Sequence, residues 1–458
     1  MHKFVPTLYF SLLTGFVFAQ TRPAPASQVT VSKPAVAPAA APAARGTLVE
    51  APPQTVGFSP DRLQRIDRFL QEYADRKQIP GAVALIARRG QIVYYKGIGL
   101  DDAQANKPLK RDAIFRIASQ TKAITSVAIM MLYEEGKLLL DDPISRYIPE
   151  FRTTKVLGRF NPKDTTFTTV PAKAQISIRH LLTHTSGIGY PIPGIGSREA
   201  LSIYAKYRVP NGIGTPNANM AGVVKTLAQL PLLHQPGERF TYGLSTDVLG
   251  YLVEIISGQK LDQFLQSRLF EPLGMKDTYF YLPADKAERL TVLHTEDSTR
   301  AYRRMPVRGG SNPDYYKSTG TFLSGGSGLC STAFDYAIFL QMLLNGGNYN
   351  GKQILSPSSV RMMTSNQIGG ISLANYKFGL GFSLATELSA ILQPASVGTF
   401  GWSGILGTNY WADPKEELVI LLMTQKYPNS FSDIDEKFQS LVYQALIDPT
   451  SPPFQANR

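Results

Sequence analysis

The chain has 458 residues, of which 43% are hydrophobic and 18% are charged, so a wholly disordered protein is excluded. Its single cysteine, Cys330, excludes an intrachain disulfide framework and a multi-cysteine zinc site. Lysine and arginine (47) outnumber aspartate and glutamate (35), which gives a net charge of +12. No dense basic run carries interleaved aromatic residues, so we expect no nucleic-acid partner.

The first 55 residues predict export followed by a tether. Lys3 precedes a mostly apolar run over residues 4–18, and Val17-Phe18-Ala19 fits a small-residue cleavage site. We therefore expect residues 1–19 to be a cleaved signal peptide. Residues 20–55 are rich in proline and alanine, which indicates an extended tether. The expected location is periplasmic or secreted, and the basic excess also suits association with an acidic cell-envelope surface.

The folded part, residues 56–450, begins with a helix and a hairpin and ends with a hairpin and a helix. In chain order, the pattern predicts a helix from Ser59-Pro60, strands over 82–87 and 92–95, strands over 409–412 and 418–424, and a helix over 434–445. The middle, about residues 116–310, is richer in helix signals. The simplest architecture is an α+β fold: an antiparallel sheet from both chain ends, flanked by helices, with a largely helical inserted subdomain.

The segment Ser119-Gln120-Thr121-Lys122 matches the pattern S-x-x-K. A serine hydroxyl needs an adjacent base, and residues three apart on a helix share a face, so Lys122 can reach Ser119. A lysine in a dry pocket can lose its proton and act as that base. Residues 257–260 also match, but Gly258 indicates a helix end there, whereas an apolar, buried helix follows Ser119. Alone, the match fits a helix-capping serine and a surface lysine equally well.

Two further segments add to this pattern. Tyr242 follows a turn and precedes an apolar helix, where its hydroxyl can relay a proton to a leaving group or simply pack. The run Gly401-Trp402-Ser403-Gly404-Ile405 combines glycines, which let a strand edge approach a ligand, with backbone N–H groups that can bind an oxyanion. Neither segment indicates a function by itself.

In order and spacing, the three segments resemble the serine beta-lactamase and penicillin-binding superfamily, in the branch of class C beta-lactamases and beta-lactamase-like esterases. The resemblance covers nearly all of residues 56–450, and the stretches 180–187 and 324–329 also carry it. It implies a beta-lactamase/transpeptidase-like fold. It also implies a serine hydrolase that acts through an acyl-enzyme, with no metal and no cofactor.

By this resemblance, Ser119 is the nucleophile, Lys122 its base partner and Tyr242 the catalytic tyrosine. The backbone N–H groups of Ser119 and Ile405 would form the oxyanion hole. Which of Lys122 and Tyr242 is the main base in deacylation stays open. Tyr190 lies in a segment rich in turn residues and aromatics that is expected to form a loop near the mouth of the site.

The chain departs from the class C pattern at two places. It has Tyr242-Gly243-Leu244 where those enzymes carry Y-x-N, and Trp402-Ser403-Gly404 where they carry K-T-G. That lysine helps attract the carboxylate of a beta-lactam, and tryptophan cannot replace its charge. A tryptophan here is similar to the esterase and acyltransferase branch. We therefore predict hydrolysis of carboxylic esters, with Trp402, Ser403, Gly404 and Tyr190 binding the substrate.

Other activities remain open for the same residues. They are class C-type beta-lactam hydrolysis, peptidase or amidase action on D-amino-acid substrates, and acyl transfer to an alcohol. A penicillin-binding cell-wall sensor or scaffold would instead acylate without release. The partner is then a small ester, amide or beta-lactam, and the sequence does not indicate an oligomeric state.

Two other classes of hydrolase are disfavoured. An alpha/beta-hydrolase needs G-x-S-x-G, which the chain lacks. A metallohydrolase with H-E-x-x-H needs glutamate after His180, where Leu181 stands. His180 and His184 are predicted instead to bond backbone groups in the turn at Thr185-Ser186-Gly187. Cys330 follows a glycine-rich run in apolar company, which predicts a buried, inert thiol.

Overall fold

The computed structural model of the protein describes residues 47–215, 217–307 and 312–447. The predicted signal peptide, residues 1–19, lies outside them, as does the predicted tether up to residue 46. No helix in the described ranges is long and apolar enough to cross a membrane.

Strands and helices alternate irregularly along the described chain. The strands are β1 (Val49–Glu50), β2 (Gly81–Arg88), β3 (Gln91–Asp102), β4 (Lys107–Pro108), β5 (Phe115–Arg116), β6 (Lys155–Asn161), β7 (Thr166–Pro171), β8 (His294–Glu296), β9 (Tyr302–Arg304), β10 (Cys330–Ser331), β11 (Asn348–Tyr349), β12 (Lys352–Gln353), β13 (Tyr376–Phe378), β14 (Ser383–Ala385), β15 (Phe400–Gly404), β16 (Thr408–Asp413) and β17 (Leu418–Met423). The α-helices are α1 (Pro60–Asp75), α2 (Thr121–Glu134), α3 (Ile178–Leu182), α4 (Arg198–Lys206), α5 (Met220–Gln229), α6 (Ser245–Ser257), α7 (Leu261–Leu265), α8 (Glu271–Leu273), α9 (Ala333–Leu344), α10 (Pro357–Met363), α11 (Glu387–Leu392) and α12 (Ile434–Tyr443).

The central sheet is built from both ends of the chain. Its strand order is β1-β3-β2-β17-β16-β15-β14-β13, and β4 pairs with part of β3. Every pairing in it is antiparallel except that of β1 with β3. The first hairpin joins the last through β2 and β17, with Arg88 opposite Leu418 and Val83 opposite Met423. The predicted α+β fold with an antiparallel sheet from both chain ends is confirmed.

Strand β2 lies inside the protein because both of its faces are apolar. Odd-numbered residues from Val83 to Ala87 pack into the larger core, which contains α2 and α9. Even-numbered residues from Ala82 to Ile86 pack into a second core, which contains α1 and α12. This alternation follows from the two-residue period of a strand. Helices therefore cover both faces of the central strands.

Helix α1 begins where the sequence predicts it. The Ser59 hydroxyl accepts a hydrogen bond from the Arg62 N–H, and Pro60 occupies the first helical position. At the far end of the chain, α12 packs beside α1 on the same face of the sheet. These two helices hold the chain ends together.

The segment between the two ends is largely helical, as predicted, but it also contains the hairpins β6–β7 and β8–β9, which the sequence did not indicate. Helix α2 is buried from Thr121 to Leu132, in agreement with its apolar sequence. Ser257 instead ends α6, and Gly258 follows it in the left-handed region, with φ of 72°. Ser257 is therefore at a helix exit, as its sequence context predicts.

The predicted tether needs correction at its C-terminal end. Val49 and Glu50 form β1 and pair with β3, and Leu48 is buried, with its N–H donating to the Tyr349 hydroxyl at 3.0 Å. Residues 47–50 contain no proline, so their backbone N–H groups can pair with a strand. The folded part therefore begins several residues before the predicted boundary at residue 56.

Candidate active site

Ser119 lies in a strained turn that leads into α2. The turn is a single 3-10 segment, Ala118–Gln120, and Ala118 has φ of 42°, in the left-handed region that alanine rarely adopts. Such a conformation persists only where the surroundings hold it. Here the Ile117 N–H donates to the Leu329 carbonyl at 3.1 Å. Ser119 is 6% exposed, at the N-terminal end of the buried α2, where the helix dipole favours negative charge.

Lys122 lies one turn along α2 and faces Ser119. Its Nζ is 3.2 Å from Ser119 Oγ and donates a hydrogen bond to the Gly326 carbonyl at 2.8 Å. Nζ also lies over the rings of Tyr242 and Tyr190, 4.6 Å and 5.3 Å from their centroids. The structure therefore brings four of the predicted site residues into one cluster.

Competing effects set the protonation of Lys122. Burial lowers the pKa of Lys122, whereas Tyr190, Tyr242 and Asp247 raise it, and the balance raises this pKa above its ordinary value. Lys122 is then an ammonium at neutral pH, which differs from the expectation that a dry pocket would deprotonate it. The ammonium donates towards Ser119 and offers a positive charge to an anion formed nearby.

Asp247, in the first turn of α6, lies behind Lys122 and was missed by the sequence reasoning. Its Oδ1 accepts hydrogen bonds from the Ser324 hydroxyl at 2.5 Å and from the Gly326 N–H at 3.3 Å, while its Oδ2 has no partner in the described chain. Burial raises the pKa of Asp247, and Lys122 lowers it. The sequence feature that could have identified Asp247 as a site residue is a carboxylate at the start of an apolar helix. Asp247 holds the backbone segment that in turn holds Lys122.

Tyr242 and Trp402 form a hydrogen-bonded aromatic pair. Trp402 Nε1–H donates to the Tyr242 hydroxyl oxygen at 3.1 Å, and their ring centroids lie 5.3 Å apart. Tyr190 meets the Tyr242 ring edge-to-face at 5.6 Å and is itself buried. A donor aimed at the tyrosine oxygen stabilises that oxygen when it carries negative charge.

The loop around Tyr242 explains the first departure from the class C pattern. A Cβ on Gly243 would lie 2.1 Å from the Ile188 carbonyl, so the backbone passes too closely for any larger residue. Leu244 turns away from the site and is buried in the main core. The Leu244 N–H donates to the Gly189 carbonyl at 3.1 Å. No side-chain amide therefore reaches the substrate side from this position.

The two histidines of the 180–187 stretch have different surroundings. His180 Nδ1 accepts a hydrogen bond from the Ser177 N–H at 3.2 Å, so it bonds a backbone group at the start of its own helix and not in the predicted turn at residues 185–187. For His184 the prediction is wrong. Its Nδ1 has no partner in the described chain, and its ring packs against Tyr242 at 4.8 Å. Burial, followed by the charge of Lys122, lowers the pKa of His184 well below its ordinary value, so the ring is neutral.

Cys330 is also placed as expected. Its side chain is fully buried, and burial raises the pKa of the thiol well above its ordinary value. A thiol that stays protonated is a poor nucleophile. Cys330 is therefore a packing residue.

Strand β15 supplies the edge of the site. The Trp402 indole points towards Tyr242, and the Ser403 side chain is exposed. Among the described strands, β14 pairs with β15 only at Phe400 and Gly401. The following residues, Trp402–Gly404, therefore keep an unpaired edge whose backbone groups can bond a substrate.

Gly404 lets β15 approach the turn that carries Ser119. A Cβ on Gly404 would lie 2.4 Å from the Ile117 carbonyl oxygen. Ile405 follows directly and packs in the same small apolar cluster as Ala118. In the described part of the chain, the backbone N–H groups of Ser119 and Ile405 form no hydrogen bond. Both donors thus remain free to bind an anion.

A cavity of about 760 Å³ opens beside Tyr242 and Tyr190. The β6–β7 hairpin forms one wall with Leu157 and Phe160, and residues 189–199 form another. Tyr190 and Tyr242 line this cavity, whereas Ser119, Lys122 and Trp402 do not. The size is typical of sites for small organic ligands.

Comparison with known proteins places the whole cluster in a shared fold. Residues 66–444 match the family model described as Beta-lactamase, and this span contains every site residue named above. Protein Rv1367c of Mycobacterium tuberculosis (strain ATCC 25618 / H37Rv) is 37% identical over 376 residues, covering 79% of this chain and 89% of that protein. Esterase EstB of Burkholderia gladioli is 30% identical over 379 residues, with the same two coverages. The solved structure of EstCE1, a hydrolase with promiscuous acyltransferase activity, is 27% identical, with a TM-score of 0.70, and the match covers 83% of this chain and 98% of that chain.

Proposed function

The chain belongs to the beta-lactamase family and is a serine hydrolase, and we propose that it cleaves carboxylic esters through an acyl-enzyme formed on Ser119. The observation that carries the choice of ester is the hydrogen bond from Trp402 Nε1–H to Tyr242. An indole paired with the tyrosine stands on β15, at the position where class C enzymes have a lysine. The buried Phe378 ring meets that indole edge-to-face at 5.3 Å, so the partly exposed indole is held in place as an uncharged aromatic surface. Such a surface suits an apolar ester better than an anionic beta-lactam.

In the proposed reaction, Ser119 Oγ attacks the ester carbonyl carbon, and its proton passes to the Tyr242 oxygen, which enters this step as a phenolate beside the Lys122 ammonium. The resulting oxyanion accepts hydrogen bonds from the N–H groups of Ser119 and Ile405, each contributing about 3 kcal/mol to the barrier reduction. The proton then passes to the alcohol oxygen, the carbon–oxygen bond breaks, and the acyl group remains on Ser119. Water attacks this ester by the reverse path, and the acid leaves.

Tyr242 is the group best placed to move the proton. Lys122 already holds its own proton, because its raised pKa keeps it an ammonium. The Trp402 N–H and the Lys122 ammonium both face Tyr242, and both stabilise negative charge on its oxygen. Tyr242 therefore accepts the Ser119 proton and later donates it to the leaving group, while the Lys122 ammonium supplies a positive charge beside the tyrosine oxygen.

Acyl transfer to an alcohol is a second candidate. The cavity of about 760 Å³ beside Tyr242 has room for an acceptor much larger than water. The same acyl-enzyme would then pass its acyl group to an alcohol oxygen instead. Hydrolysis in the presence of 1-butanol, with the butyl ester quantified, separates the two outcomes.

The first test compares the wild-type protein with the Ser119→Ala variant on p-nitrophenyl butyrate and a chromogenic cephalosporin. Serine-dependent ester turnover with little cephalosporin turnover supports the proposal. The reverse preference would make antibiotic hydrolysis the function. If neither substrate is turned over, intact-mass spectrometry after mixing with penicillin identifies a stalled acyl-enzyme. Full activity of the Ser119→Ala protein would refute the mechanism.

We also propose that the protein is exported to the periplasm or beyond the cell. The support is the sequence pattern of residues 1–19, with Lys3 before an apolar run and Ala19 at the cleavage site. N-terminal sequencing of the protein from cell fractions tests this. A mature chain that begins at Gln20 supports export, and a cytoplasmic chain that retains the apolar run contradicts it.

A further inference from the structure

The cavity of about 760 Å³ beside Tyr242, which we call the tyrosine cavity, has walls of two kinds. Leu157 and Phe160 of the β6–β7 hairpin give it an apolar wall, and residues 195–199 and 239–242 form the side that carries its charged groups. In the proposed reaction, Tyr242 returns the proton to the alcohol oxygen, so that oxygen lies beside Tyr242. The cavity that the same side chain lines is therefore placed to hold the alcohol part of the ester.

Three charged side chains line the tyrosine cavity: Arg198 and Glu199 at the start of α4, and Arg239, three residues before Tyr242. Two positive charges and one negative charge leave a balance of +1. Among the residues that the structure describes, none forms an ion pair with Arg198 or Arg239. Arg239 Nη2 donates a hydrogen bond to the Leu233 carbonyl at 3.3 Å. Both guanidinium groups therefore keep N–H donors for a ligand.

The two walls define the chemistry of the ligand. A guanidinium presents its N–H donors in a planar fork that matches a carboxylate. The fold brings Arg198 and Arg239 to one cavity from separate segments of the chain, and Glu199 opposes an anion there with one charge against two. An alkyl chain can lie along the apolar wall. Trp402 does not line this cavity, so its uncharged surface and the charged wall contact different parts of one substrate.

We propose that the tyrosine cavity binds an alcohol part that carries a carboxylate, which Arg198 and Arg239 hold. This inference rests on the proposed ester hydrolysis and names its substrate class, namely acyl esters of hydroxycarboxylic acids. Hydrolysis of such an ester consumes one water, breaks the bond between the acyl carbon and the alcohol oxygen, and releases an acid and a hydroxycarboxylate. In acyl transfer, the same hydroxycarboxylate would be the acceptor.

The test uses two butyrate esters that differ only in charge at the far end of the alcohol: 5-butyryloxypentanoate and its neutral amide, 5-butyryloxypentanamide. Both form the same butyryl-enzyme on Ser119, so the ratio of their kcat/KM values, anionic over neutral, reports how the alcohol part is bound. Mass spectrometry quantifies the released hydroxy products. We expect a wild-type ratio of about ten that falls towards one in about 0.5 M salt, because salt screens exposed charges.

Variants that change one charge connect the ratio to the cavity. Arg198 and Arg239 are exposed, so Arg198→Gln and Arg239→Gln should each lower the ratio about two- to fivefold, through KM rather than kcat. Glu199→Gln removes the opposing charge and should raise the ratio about twofold. Arg361→Gln, on the exposed surface of α10 and outside the cavity lining, is the matched control and should leave the ratio unchanged.

The outcomes separate this inference from the proposed function. A wild-type ratio near one, or shifts of the same sign in Arg239→Gln and Glu199→Gln, would overturn the inference and leave ester hydrolysis intact. Turnover of p-nitrophenyl butyrate without turnover of the anionic ester would do the same. If the wild-type protein turns over none of these esters, the proposed function fails, and this inference fails with it.

Discussion

Replacing Trp402 by phenylalanine removes one hydrogen-bond donor from the catalytic cluster and keeps an aromatic ring in place. The indole N–H donates to the Tyr242 oxygen at 3.1 Å, and the ring also contacts Phe378. A hydrogen bond contributes about 0.5–1.5 kcal/mol to a neutral partner and about 1.5–3 kcal/mol to a charged one. At about 1.4 kcal/mol per tenfold change in rate, kcat should fall about two- to tenfold if Tyr242 stays neutral. It should fall about ten- to 150-fold if the tyrosine oxygen carries negative charge in the transition state.

We expect the larger loss, because the proposed mechanism places negative charge on Tyr242. The assay is steady-state hydrolysis of p-nitrophenyl butyrate. Trp411→Phe, at the other tryptophan and across the sheet, is the matched control and should leave kcat unchanged. In the double variant Trp402→Phe/Tyr242→Phe, the loss should not exceed that of Tyr242→Phe alone, since the bond has already gone. Parental kcat in Trp402→Phe, or strictly additive losses, would refute the reasoning.

Three further predictions concern groups around the same cluster. Asp247→Asn removes a charge that raises the pKa of Lys122, so the limb of the kcat/KM pH profile that reports Lys122 should move to lower pH; an unmoved profile contradicts this. Gly243→Ala forces a Cβ to 2.1 Å from the Ile188 carbonyl and should lower the free energy of unfolding by about 1–3 kcal/mol, measured by chemical denaturation. His184 has a pKa lowered by burial, so its contribution to stability is present above about pH 6.5 and is lost as the pH falls towards its folded-state pKa. His184→Phe should therefore lose less unfolding free energy than the wild type between pH 7.5 and pH 5, and equal losses would contradict the assignment.

Local patterns predicted the elements that form the sheet and its covering helices. The two-residue period of β2 and the 3.6-residue period of α1 and α12 reflect which face each element buries, and that information lies within a few neighbouring residues. The S-x-x-K match also depends only on residues that are close together in the sequence. One helical turn brings Lys122 to 3.2 Å from Ser119 whatever the rest of the chain does.

The sequence predictions that the structure overturned share one cause, namely contacts between residues that are far apart in the sequence. The end of the predicted tether was misplaced because β1 is held by β3, about 40 residues further along. His184 was expected to bond its own turn, but the ring packs under Tyr242, which another loop delivers. The expected neutral Lys122 was wrong because the tyrosines and Asp247 that raise its pKa come from two other parts of the chain, around residue 190 and over residues 242–247.

By itself, the sequence determined the helices, the hairpins and the pairing of Ser119 with Lys122, because backbone geometry places residues of one helix or strand at known spacings. Only the tertiary structure decided that Trp402 bonds Tyr242 across 160 residues, and that Asp247 supports Lys122 through Gly326. Such contacts depend on how separate elements pack, and packing is set by the burial of the whole core rather than by any one segment.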